Sequence, residues 1–402
     1  MFLEYENKKL EEEILQETET VDLSSIFGKK KSKNKLVQGD NLRVLKNLLV
    51  DCKLEGKIDL IYIDPPFATN GHFKIGKDRT STVSSSGNDE VAYSDTLIDG
   101  EFLEFLRERL ILMKELMSEK ASIYLHIDYK IGHYVKIIMD EVFGRKNFRN
   151  DITRIKCNPK NFSRRAYGNM KDLILFYSKS DTPTWNDPKI ALTEKDRERR
   201  FNKIDKDGRK YTTIPLHAPG ETTNGNTGKG WREILPPKGR HWRSEPKVLE
   251  EWERQGLIEW SSTGNPRKKI FADEIDGKKM QDIWEFKDPQ YPSYPTEKNL
   301  ELLKTIIQAS SNKGDLILDA FCGSGTTLIA AQELNRNWIG IDQSPHAIKV
   351  VEQRLNDMPE SLFSSVEYEK LLQTEESKIK EPKIAPERQK LRAEQLSYSE
   401  MI

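Results

Sequence analysis

Residues 316–342 read LILDAFCGSGTTLIAAQELNRNWIGID: an apolar run, a glycine turn, a helical stretch, and a second apolar run closed by an acid. Few arrangements other than a βαβ unit satisfy that order. Apolar runs of this kind suit strands covered on both faces, and two parallel strands need a crossover such as a helix between them. Gly323 and Gly325 allow a tight turn and a close backbone approach to a ligand, and the helix start beyond them offers unpaired N–H groups. Asp342 stands 17 residues after Gly325, where a βαβ unit presents an acid to the hydroxyls of a ribose. A plain strand-to-helix turn with an incidental acid is the alternative. The loop matches neither G-x-G-x-x-G nor G-x-x-x-x-G-K-[ST], which disfavours a pyrophosphate-binding site.

A second strand, Ile58–Ile63, ends in Asp64-Pro65-Pro66-Phe67. Two prolines remove two backbone donors and fix φ, so the chain leaves the sheet there in a rigid extended turn. On its own, this could be a turn capping a core strand with Phe67 buried. The α/β rhythm begins at a short strand, Lys35–Gln38, followed by Gly39-Asp40 and a helix marked by Leu42, Leu45, Leu48 and Leu49. A polar stretch, 68–94, reads as a long loop of functional or disordered character. An amphipathic helix over 100–118, a strand over Ser122–Ile127 and a helix over Val135–Val142 follow. His126 and Asp128 close that third strand and read as satisfied structural polar residues. Residues 3–17 look helical and mostly charged, and the basic run Lys29–Lys35 reads as a flexible extension.

Between about Asn158 and Tyr291 the rhythm breaks, and Trp, Gly, Pro and Arg crowd together in GKGWREILPPKGRHWRSEP. The whole chain has 65 basic and 65 acidic residues, but 151–288 holds 29 Lys and Arg against 22 Asp and Glu. The rhythm resumes with a helix containing Leu300, Leu303, Ile306 and Ile307. The tail from about 360 is charged and is expected to have no core role. No apolar run approaches the ~18 residues that cross a bilayer, and the N-terminus lacks a signal-peptide core. Three scattered cysteines without a CxxC pair argue against disulfides or zinc and favour a cytoplasmic setting.

FCGSGTT together with DPPF resembles the S-adenosylmethionine-dependent amino-methyltransferases of DNA, the adenine-N6 and cytosine-N4 family. DPPF preceding the glycine loop resembles the subgroup called β, which includes modification subunits of restriction systems. The likeness covers residues 36–358 and includes GDNLRVLKNL, the block from FLRERL to DEVFGRKNF, and YPTEKN. In the last, Glu297 and Asn299 replace the family's usual Gln and Pro. The resemblance implies a doubly wound Rossmann-like α/β sheet with circularly permuted motif order and an inserted target-recognition domain. It places S-adenosylmethionine among Asp40, Lys298, Asp319, Phe321, Gly323, Gly325, Thr326, Thr327 and Asp342. Catalysis falls to Asp64, Pro65, Pro66 and Phe67: the Asp64 carboxylate and Pro65 carbonyl accept the hydrogens of an adenine amine, and Phe67 stacks on the flipped base.

The expected organisation is an extension at 1–35, a catalytic half at 36–157, a target-recognition insert at 158–290, a cofactor half at 291–358 and a tail at 359–402. Within the insert, Arg232, Arg240 and Arg243 are candidate contacts to double-stranded DNA, while Trp231 and Trp242 could equally build its core. DPPF favours adenine-N6 over cytosine-N4, whose enzymes more often carry SPP. Amide methylation, with its NPPY, is disfavoured, as are cytosine-C5 chemistry, which needs a cysteine after a proline, and an NAD-dependent dehydrogenase. A recognition subunit that no longer catalyses is the alternative of another class. No PD…ExK arrangement is present, so a restriction nuclease would be a separate chain. Dimers are common in the resembling subgroup, so a homodimer is allowed.

Overall fold

The computed structural model describes residues 3–25, 32–66, 72–76, 79–81, 90–94, 99–159, 165–222, 224–290, 297–358 and 366–378. The chain divides into two units, one of Met1–Asn186 with Gln281–Ile402, the other of Asp187–Met280.

The first unit is organised on a ten-stranded sheet. Its strands in chain order are β1 (Thr20–Ser25), β2 (Lys35–Gln38), β3 (Ile58–Ile63), β4 (Met117–Ile127), β5 (Phe148–Ile155), β6 (Lys171–Ser178), β7 (Ile283–Glu285), β8 (Leu316–Asp319), β9 (Asn337–Asp342) and β10 (Glu369–Lys378). Their spatial order is β1-β10-β2-β9-β8-β3-β4-β6-β5-β7. The block from β10 to β4 is parallel, whereas β6 runs antiparallel to both β4 and β5. The helices are α1 (Glu11–Glu17), α2 (Asn41–Val50), α3 (Asp99–Leu116), α4 (Gly132–Phe143), α5 (Leu300–Ser310), α6 (Thr326–Glu333) and α7 (Pro345–Asn356).

Side chains alternate across each strand, so one strand shows both layers. On β9, Ile339 and Ile341 join the core built with α2, α3 and α4. Gly340 faces the other way, where an added Cβ would lie 2.4 Å from Leu328 of α6. Helices thus cover both faces, which is why IDLIYI and LILD can be almost continuously apolar.

Three expectations change. The compact insert is 187–280 rather than 158–290, because β6 adds its apolar KDLILFYS to the main sheet and β7 returns to it. The tail is not without a core role: β10 pairs with β1 and β2, and Leu371 is buried. The N-terminal segment is likewise built in, with Ile14, Leu15 and Val21 in the core. Of the polar stretch 68–94, three short strands at 72–76, 79–81 and 90–94 form a small sheet; the remainder lies outside the described residues.

The second unit contains a four-stranded antiparallel sheet of Lys203–Ile204, Lys210–Pro215, Pro266–Phe271 and Ile258–Trp260. A ribbon of His217–Pro219 and Arg240–Trp242 and a helix, Pro246–Arg254, accompany it. Its core gathers Leu216, Trp231, Trp242, Leu249 and Ile258. No helix among the described residues is long and apolar enough to cross a membrane.

Candidate active site

Strands β3 and β8 are hydrogen-bonded neighbours, with Leu60 opposite Ile317 and Ile61 opposite Leu318. Asp64, one residue past β3, and Asp319, the last of β8, therefore emerge beside each other at the carboxyl ends of the central parallel strands. That is where open α/β sheets bind ligands. Pro65 and Pro66 follow Asp64 directly; Phe67 lies outside the described residues. Asp64 Oδ2 accepts a bond from the Lys298 ammonium. Asp64 Oδ1 is buried and, among the described residues, has no hydrogen-bond partner. Lys298 thus joins the start of α5 to the Asp64 carboxylate at the end of β3.

The glycine loop is tied down by two acids. Asp319 accepts from the Phe321 N–H at 3.0 Å and from the Thr327 hydroxyl at 2.5 Å. Asp342 accepts from the Gly323 N–H at 2.9 Å and the Ser344 N–H at 2.8 Å. Gly325, at φ 75°, closes the turn with its N–H on the Cys322 carbonyl at 2.7 Å and opens α6 at Thr326. A Cβ on Gly325 would come within 2.7 Å of Val351 on α7. Burial, reinforced by the charges of Asp64 and Asp342, pushes the Asp319 carboxyl up to about 7. Burial also raises Asp342, against its two backbone donors.

Asp40 caps α2, its side chain accepting from the Arg43 N–H at 3.1 Å. It follows the end of β2, which pairs with β9 and stands one strand away from β8. Support for this corner comes from residues the sequence did not single out. Arg109 lies 3.5 Å from Asp40, donates to Asn41 Oδ1 at 2.6 Å and rests 3.6 Å above the Phe105 ring. Asn41 passes the contact on to the Ala320 carbonyl at 2.8 Å, and Phe105 meets Phe321 at 6.1 Å. Gln373 of β10 accepts from the Asp40 N–H at 2.7 Å. Another unforeseen residue is Arg354 of α7, within 3.1 Å of Ser324 and Thr326. GDN in sequence hinted at Asn41; nothing local marks Arg354 or Gln373.

Behind Asp64 runs a buried polar network. Tyr62 OH and His126 Nδ1 are 2.9 Å apart, and His126 Nε2 lies 3.3 Å from Asp172. Arg154 and Lys156 also engage Asp172. Burial lowers the His126 pKa despite the pull of Asp172, so its neutral ring braces β3 against β4 and β6. Asp128 accepts from the Lys130 N–H at 2.9 Å. Both residues fit the structural role expected of them.

In the second unit the three candidate arginines diverge. Arg232 is held in ion pairs with Glu250 at 2.8 Å and Glu253 at 3.1 Å. Arg240 and Arg243 are exposed, and Arg240 donates to His217 at 3.1 Å. Burial lowers the His217 pKa, and the charges of Arg240, Arg243 and Arg267 lower it further. Trp231 and Trp242 meet edge to face at 6.3 Å inside that unit's core, taking the second of the two roles open to them. Among the described residues, no cluster of His, Cys, Asp and Glu suits a metal ion.

The family described as DNA methylase, N6_N4_Mtase, matches residues 58–353. The type II methyltransferase M.EcaI of Enterobacter cloacae is 41% identical over 366 residues, covering 88% of this chain and 77% of that protein. The probable type III restriction-modification enzyme HindVI Mod subunit of Haemophilus influenzae is 25% identical, covering 81% of this chain; the match spans half of that subunit's length. Among solved structures, the M1.HpyAVI complex with S-adenosylmethionine is 18% identical and covers 80% of this chain and 98% of its own, with a TM-score of 0.43. The chain belongs to the N6/N4 family of DNA methylases and is a DNA methyltransferase.

Proposed function

We propose that the protein methylates the N6 amine of adenine in double-stranded DNA at a specific sequence, with Asp64 as the catalytic acceptor. The observation that carries this reading is Asp64 itself: fixed by two prolines, with Oδ2 engaged by Lys298 and Oδ1 buried without a partner among the described residues. The residues around it suit the cofactor. Asp64, Asp319 and Asp342 stand at the ends of β3, β8 and β9, an acidic rim better suited to a cationic cofactor than to a pyrophosphate. Gly323 and Gly325 leave the loop without side chains at its turn, and Asp342 stands beside it to receive ribose hydroxyls. Bound S-adenosylmethionine supplies an electrophilic methyl on a sulfonium.

The chain's own part is to prepare the nucleophile. The lone pair of an adenine amine is delocalised into the ring. Acceptors on its two hydrogens favour a localised, tetrahedral nitrogen, and most strongly in the transition state, where positive charge grows there. Asp64 Oδ1 is one acceptor and the Pro65 carbonyl the other. A base within a duplex must be flipped out to reach them. DPPF rather than SPP supports adenine over cytosine.

The unit 187–280 is assigned target recognition. It holds 21 Lys and Arg against 16 Asp and Glu, and the charges of Arg240 and Arg243, with Arg267 of the neighbouring sheet, converge on His217, a surface suited to phosphates. Arg232, committed to two acids, is assigned a structural role. Transfer of labelled methyl to DNA of varied sequence, followed by digestion to nucleosides, tests the reading. N6-methyladenine is expected; N4-methylcytosine as the sole product would overturn the base assignment, and no methylated nucleoside would overturn the function.

A further inference from the structure

Glu297 and Lys298 are adjacent in the chain, yet their side chains reach opposite halves of the site. Lys298 engages Asp64 Oδ2 at the end of β3. Glu297 lies 3.1 Å from Arg354 Nη1 on α7. That same nitrogen is 3.0 Å from the Ser324 carbonyl and 3.1 Å from the hydroxyls of Ser324 and Thr326, on the glycine loop and at the start of α6. The dipeptide is held from behind by Asn299, which caps α5 through the Glu301 and Leu302 N–H groups and donates to the Lys287 carbonyl at 3.0 Å. Lys298 and Asp64 are 10% and 16% exposed and Arg354 and Glu297 20% and 13%, so both ion pairs are largely withdrawn from water.

We propose that Glu297 and Lys298 form a positioning clasp that holds the catalytic carboxylate of Asp64 in register with the cofactor loop. The proposal rests on the reading of this centre as a methyl-transfer site and adds how its two halves are aligned. Lys298 immobilises Oδ2, so the carboxylate cannot rotate and Oδ1 alone accepts the substrate amine. Glu297 anchors the same short segment to the loop through Arg354. Displacement at a methyl group needs nucleophile and donor in line, and small errors of placement are costly. The resemblance to the wider family assigned Lys298 to the cofactor; its bond to Asp64 assigns it to the catalytic acid. Glu297, standing where the family usually has Gln, makes the anchor an ion pair in this chain.

The test compares single-turnover methyl transfer at saturating DNA and cofactor with cofactor affinity measured calorimetrically on the DNA-free protein. Lys298→Met should slow transfer about 100-fold, the scale of a misplaced reacting group, while the cofactor Kd stays within about threefold. Lys298→Arg, which keeps the charge, should recover at least about tenfold of that loss and guards against a mere folding defect. In an Asp64→Asn background the same Lys298→Met change should cost less than about threefold, because coupled partners are not additive. Arg354→Met and Glu297→Ala should each slow transfer, and their combination should do no more than the worse of the two. Lys298→Met with wild-type transfer would overturn the proposal. So would a loss of cofactor affinity matching the loss of rate, since Lys298 would then be a cofactor contact. A wild-type protein that methylates no DNA overturns the functional reading and the clasp together, and is recognised before any variant is made.

Discussion

Replacing Gly325 with alanine probes the turn on which the cofactor half depends. Gly325 has φ 75°, in the left-handed region, which costs an L-residue roughly 1–2 kcal/mol. The new methyl would also lie 2.7 Å from Val351 Cγ2 and 3.1 Å from its Cγ1. Val351 is fully buried on α7 and cannot swing into solvent, so overpacking adds about 1–3 kcal/mol. Gly325→Ala should therefore destabilise the protein by about 2–5 kcal/mol, read as a fall in thermal midpoint of roughly 1–2 °C per kcal/mol for a chain of this length. The two contributions separate in a cycle with Val351→Ala. Removing the valine branches relieves the clash and leaves the φ cost, so Gly325→Ala in that background should cost only about 1–2 kcal/mol. Denaturation of the four proteins checks this. An equal cost in both backgrounds would refute the packing argument, and no cost in either would refute the turn geometry.

The Asp319 carboxyl, raised from 3.8 to about 7 by burial, makes the folded protein bind more protons than the unfolded chain between those values. Its contribution is greatest below about pH 4 and is lost as pH rises to about 7. Asp319→Asn should flatten that fall, so that the wild type loses stability relative to the variant as pH rises from about 4 to about 7, read from paired melting curves. Asp342→Ala should weaken cofactor binding about 10- to 100-fold through loss of a charge-assisted hydrogen bond, checked by calorimetric titration. Arg240→Ala and Arg243→Ala should each lower affinity for all DNA and reduce the salt slope by about one. Arg232→Ala should leave that slope unchanged, as filter binding across salt concentrations would show.

The centre of the fold was legible because its signals are local. IDLIYI, LILD and WIGID are apolar beyond what a half-exposed strand needs, and each ends in an acid or a glycine turn. The structure brings β3 and β8 together as hydrogen-bonded neighbours, so two of those endings meet. The edges were not legible. β10 reads EKLLQTEESK, with charges at half its positions, and it forms a strand by pairing with β1, more than 340 residues away in sequence. Apolar periodicity carries no trace of such a partner. The insert boundary was misplaced because β6 follows irregular chain, although KDLILFYS carries the signature of a buried strand. At the site, acids and glycines declare themselves by type and spacing. Arg354, Arg109 and Gln373 act through contacts made by folding, so their roles emerge only with the distances.

The central claim is that the Asp64 carboxylate accepts a hydrogen of the reacting amine, and single-turnover transfer by Asp64→Ala tests it most directly. Loss of this acceptor should raise the barrier by about 3–4 kcal/mol, a slowing of roughly 100- to 1000-fold, by analogy with removing an oxyanion-hole donor. DNA affinity, measured on the same preparation, should stay near that of the wild type. A transfer rate within a few fold of wild type would contradict the account.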